Sequence, residues 1–145
     1  MSFLSSLWAR FVGSGTTNTA TPPRFFVYIR IPESILPIER GSKYEDPLQA
    51  ALEAAQLGEV SGGGSLLGAP AADGSRSVAS CGIDIDLVEL EPGLDLLRAR
   101  LPALGALPGT QLEYTLGDQK ALDALRSDGW RIGLPRTDLH PGFGV

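Results

Sequence analysis

Two carboxylates stand two residues apart in the run Ile83, Asp84, Ile85, Asp86, Leu87. In an extended chain that spacing sends both to one side, ~6.6 Å apart along the backbone, near enough for paired-acid chemistry or a shared cation. Acid catalysis by Asp84 and Asp86 would need burial to raise one carboxyl pKa. A divalent ion would want further oxygen ligands, and no DxDxDG-type loop or His-rich spacing supplies them, so no metal is expected. A solvated sheet face is the plainer reading. Cys81 and His140 are the only cysteine and histidine. His140 lies in a Pro- and Gly-rich tail, and no Ser or Cys stands in a nucleophile motif. Cys81, opening a strand, reads as a small buried hydrophobe. Gly62, Gly63 and Gly64 invite a phosphate-cradle reading, but that motif needs a following helix and usually a Lys, where this chain has Ser65, Leu66 and Leu67. A β-bulge or a close backbone approach accounts for the same glycines. No catalytic residue and no cofactor is expected, and the chain reads as non-enzymatic.

Composition narrows the partners. The 145 residues, 43% hydrophobic, suffice for one core and not two. Lys and Arg number 12 against 17 Asp and Glu, a net charge of -5. That balance disfavours nucleic acid, whose phosphates need clustered cations, and favours encounter with a basic protein surface. A single cysteine excludes an intramolecular disulfide and suits a reducing cytoplasm. The first residues lack the basic and apolar regions of a secretory signal, and no run is long and apolar enough to span a bilayer.

The elements that must position these groups follow from periodicity. Phe3, Leu4, Leu7, Trp8 and Phe11 form one helical stripe, giving an amphipathic helix over residues 1–12. Arg10 is its only charge, so docking on protein is favoured over membrane-surface contact through residues 3–12. Residues 13–23, small and polar and closed by two prolines, read as a flexible linker. A single α+β domain over 24–134 and a tail over 135–145 follow. Within the domain, Phe25 to Ile31 alternates as a strand ended by Pro32, and 33–45 reads as an irregular connection. Asp46, Pro47 and Gln49 form a helix start, with Leu48, Ala51, Leu52 and Ala55 as its buried stripe and Gly58 as its stop. A short strand centres on Val60, residues 68–79 read as a loop, and Ile83 to Leu87 alternates as the third strand. Leu94, Leu97, Leu101 and Leu104 share a helix face, and Leu112, Tyr114 and Leu116 alternate as a fourth strand. A short helix from Asp118, burying Leu122 and Leu125, is expected to close the domain.

This β-α-β-β-α-β order, carried by the segment from Phe25 to Thr115, resembles a ferredoxin-like α/β sandwich: four antiparallel strands with two helices on one face. The small, acidic, single-cysteine character is similar to that of cytosolic immunity proteins paired with bacterial toxins. That resemblance implies an occluding surface and carries over no catalytic residue. With the first and third strands side by side, the helix-free face would gather Phe26, Tyr28, Arg30, Asp84, Asp86 and Glu113. Aromatic contact area there borders an acidic patch suited to a basic partner, and Arg30 is expected to offset Asp84 or Asp86 locally. A small-ligand regulatory domain using the same face, and a carboxylate hydrolase, are the other readings.

Overall fold

The computed structural model describes residues 24–76 and 78–136. The expected N-terminal helix, the linker and His140 lie outside these residues. Strand β1 (Phe25–Ile31) leads to helix α1, which runs as α-helix over Pro37–Arg40, as a π turn over Gly41–Glu45 and as α-helix again over Asp46–Ala55. Strands β2 (Gly58–Leu67) and β3 (Val78–Leu87), helix α2 (Leu90–Ala103), and strands β4 (Gln111–Leu116), β5 (Gln119–Arg126) and β6 (Gly129–Pro135) follow. They form one six-stranded sheet, order β2-β3-β1-β4-β5-β6, with every pair antiparallel. No helix among the described residues is long and apolar enough to cross a membrane.

This sheet overturns the ferredoxin-like expectation of four strands with a short C-terminal helix. Residues 118–129 are strand and turn, not helix. Leu116 pairs with Gln119 across Gly117 and Asp118, and Gly117 takes the left-handed φ of 59° that such a two-residue turn requires. Leu122 and Leu125 are three apart and imitate a helical stripe. The period the fold uses is two, with Ala121, Asp123 and Leu125 buried on one side.

Helix α1 also begins nine residues before Asp46. Leu36–Pro37 starts it, with Pro37 at its first position and the Leu36 amide donating to Glu39 Oε1 at 3.3 Å. Asp46 and Pro47 are therefore interior. Pro47 lacks the N–H that would bond one turn back and its ring crowds that turn, and the chain widens into a π turn just before it. The helix ends at Gln56 in the left-handed conformation, φ 57°, two residues before the anticipated Gly58.

Both helices lie on one face, since Tyr44, Leu48 and Leu52 of α1 and Leu94, Leu97 and Leu101 of α2 share a cluster with Val27, Ile29, Ile31, Ile83 and Ile85. Each such aliphatic side chain contributes about 2 kcal/mol of hydrophobic stabilisation. Gly93 lets α2 sit directly on β3, because a Cβ there would come within 2.5 Å of Leu87 Cδ1.

Polar groups knit the edges to this core. The pairing of β2 with β3 skips Ser61, a bulge that turns Gly62 to the helix-free face and Gly63 under α1. A Cβ on Gly63 would press on the Arg40–Glu45 ion pair, 3.1 Å from Arg40 Nε. Arg40 Nη1 donates to the Gly64 carbonyl at 3.0 Å, and the Val60 amide donates to Gln49 Oε1 at 2.7 Å, so α1 caps the edge strand. At the other end, Pro102 has no N–H to offer the Arg98 carbonyl four residues back. Trp130 Nε1 on β6 donates to that carbonyl at 2.9 Å instead.

Candidate functional site

The register puts the six anticipated residues on the face opposite the helices. Tyr28 lies opposite Asp84 on one side and Glu113 on the other, Phe26 opposite Asp86, and Arg30 opposite Gly82 and Gln111. Directly paired residues of antiparallel strands share a face, so Glu59, opposite Asp86, joins them. Sequence reading had passed over Glu59, because the bulge at Ser61 hides the alternation of β2.

The aromatic half of the face is enclosed more than displayed. Tyr28 is 6% exposed and Glu113 2%. Gly82 is the reason at Tyr28: the ring lies across it, where any Cβ would overlap the ring and hydroxyl. The missing side chain on β3 is thus filled by a tyrosine from β1. Burial raises the Tyr28 pKa, Arg30 lowers it, and Glu113 and Asp84 raise it further. Arg30 stands 5.8 Å from the Tyr28 ring centroid and its Nη2 is 3.4 Å from Glu113 Oε2. The cation expected to offset Asp84 or Asp86 is committed to Glu113.

The acidic half is different. Asp84 and Asp86 are half-buried and Glu59 is exposed, and none of the three has an ion pair among the described residues. Glu59 and Asp86 face each other across the strands, an arrangement that repels. Asp84 leans toward the sheet edge over Gly62, its Oδ2 3.0 Å from where a Cβ would stand. No group of His, Cys, Asp and Glu that could hold a metal ion occurs among the described residues. Nor does a hydrogen bond there hold Asp84 or Asp86 in place as paired-acid chemistry would need.

Three further polar clusters carry functional-type residues that sequence reading did not bring together. Tyr44 donates to Glu33 Oε1, and Lys43 Nζ to Glu33 Oε2 at 2.6 Å. Asp123, fully buried, accepts from Arg98, from Tyr114 Oη at 2.6 Å and from the Gly133 amide at 2.9 Å. Arg136 donates to the Tyr114 carbonyl at 3.1 Å and the Ala121 carbonyl at 3.3 Å. These bonds serve packing: each polar group is matched by a partner within its own cluster. Cys81 is buried, and burial pushes its thiol pKa up, the opposite of what a nucleophile needs. Comparison with known protein families, curated proteins and solved structures finds no match to this chain.

Proposed function

We propose that this chain is a non-enzymatic protein-binding module that presents its helix-free sheet face to a basic protein surface, in the manner of a toxin-neutralising immunity protein. The observation that carries the reading is the Glu59, Asp84 and Asp86 stripe. Three carboxylates converge on one face, two of them directly opposed, with no ion pair among the described residues. Such repulsion is relieved when cations arrive from a partner. Phe26 and Arg30, both half-buried, adjoin the stripe and supply contact area, while Tyr28 beside them is nearly enclosed. The net charge of -5 adds long-range attraction for a basic surface. A cytoplasmic setting suits the free thiol of Cys81.

The test compares the parent with a Glu59→Gln, Asp84→Asn, Asp86→Asn variant in capture from a lysate of the source organism, followed by association kinetics with the captured protein. Neutralising the stripe should slow association about tenfold at low salt and flatten its salt dependence. Capture and kinetics that are the same for the two proteins, with matching melting curves, would rule the face out.

A further inference from the structure

On the far side of the molecule, the β5–β6 hairpin and the C-terminal end of α2 enclose a groove of about 350 Å³, walled by Pro102, Ala106, Pro108, Leu125, Arg126 and Trp130. That volume falls in the range of small-ligand sites. Its walls are rigid before anything binds. The Trp130 indole is fixed by its bond to the Arg98 carbonyl, two walls are proline rings, and Leu125 and Ala106 are buried in the core. Little conformational freedom is left to lose on binding.

The groove has two cations, and they differ. Arg98 is consumed: it reaches Asp123 Oδ2 at 2.7 Å and Asp95 Oδ1 at 2.9 Å. Arg126 is exposed and has no ion pair among the described residues, although its charge is felt by Asp128, whose own ion pair is with Arg131. An apolar slot with flat walls and one guanidinium outside any ion pair among the described residues matches a flat apolar body with one negative end. The chain carries a net charge of -5, so a bound anion needs a cation beside it. We propose that this groove binds a small aryl monocarboxylate, its ring against Trp130 and the prolines and its carboxylate on Arg126. The site is separate from the sheet face and stands or falls independently of it.

The test uses the full chain with Trp8→Phe, which leaves Trp130 as the sole indole. 3-Phenylpropionate and its neutral amide are titrated while the Trp130 indole N–H resonance is followed. The acid should bind about three- to fivefold more tightly than the amide, the worth of one exposed charge pair. Arg126→Gln should make the two ligands equal, and Arg126→Lys, which keeps the charge, should retain the preference. The proposal fails if acid and amide bind the parent equally, or if the preference survives in Arg126→Gln. It also fails if the indole resonance is unmoved at about 10 mM acid, above the millimolar affinity of the weakest specific sites.

Discussion

Tyr44 shows how one side chain writes a pH limit into the fold. Its ring is fully buried, and its hydroxyl donates to Glu33. Burial first, and then the adjoining carboxylate, push its pKa up to about 12 from 10.0. The folded value lies above the unfolded one, so the stabilisation is fully present below pH 10 and is lost as pH rises through about 12. Tyr44→Phe removes the titrating group. Denaturant melts from pH 9.5 to 12 should show the parent losing more stability than the variant over that window, and the variant should be less stable at neutral pH by about 1–2 kcal/mol. Parallel losses would show that the phenol ionises freely in the folded state. Glu33 works in the opposite direction. Burial opposes its charge, but the donors Lys43 and Tyr44 outweigh burial and lower its pKa. Its contribution is therefore present above the ordinary carboxyl pKa and is lost as pH falls through the lowered value. Glu33→Gln should accordingly flatten the acid limb of the same stability profile.

Between elements, the contact of α2 with β6 turns on a bond that proline cannot make. Pro102 leaves the Arg98 carbonyl open and the Trp130 indole closes it. Trp130→Phe should cost about 1 kcal/mol beyond the lost ring area in the parent, and less in a Pro102→Ala background, where the new amide serves the carbonyl. Equal costs in the two backgrounds, measured by chemical denaturation, would sever that link. This pairing also marks what the sequence could reveal. The order of elements placed β1 beside β3, and local alternation in Phe25 to Ile31 and Ile83 to Leu87 decided which residues share a face, because one face of each is wholly apolar. It brought Phe26, Tyr28, Arg30, Asp84, Asp86 and Glu113 to one face. It did not show that Gly82 makes room for Tyr28, which is a cross-strand fact, nor that Arg30 turns to Glu113. The start of α1 was missed because Asp46–Pro47 is a strong start signal that happens to follow a π turn. Strand β5 of the β5–β6 hairpin was missed because Leu122 and Leu125 satisfy a helical spacing, while the deciding Gly117–Asp118 turn from β4 carries its information in a left-handed φ.

Across the whole molecule, Asp123 is where that hairpin joins the rest. Its carboxylate sits on β5 and receives Arg98 from α2, Tyr114 from β4 and the Gly133 amide from β6. The Gly133 amide is available because β6 has an extra residue there, three positions from Leu134 to Arg131 against two from Leu122 to Ala124. Gly133 takes the left-handed φ of 75° at that bulge. The Tyr114 pKa is raised, by burial first and then by its bond to Asp123, so the phenol remains a neutral donor. Removing the carboxylate would take an acceptor from three donors at once, the Tyr114 hydroxyl among them in a buried position. Arg98 would keep Asp95, but Tyr114 and Gly133 would lose an acceptor that no other described residue replaces. Asp123→Ala should therefore destabilise the fold by about 3–5 kcal/mol, the range for breaking a buried ion pair from one side. It should also speed amide exchange in β5 and β6 more than in β1 and β3, because the hairpin is anchored through this carboxylate while the central strands are held by their own apolar face. Uniform acceleration across all six strands would show instead that the sheet opens as one unit, with β5 and β6 as much part of its centre as β1.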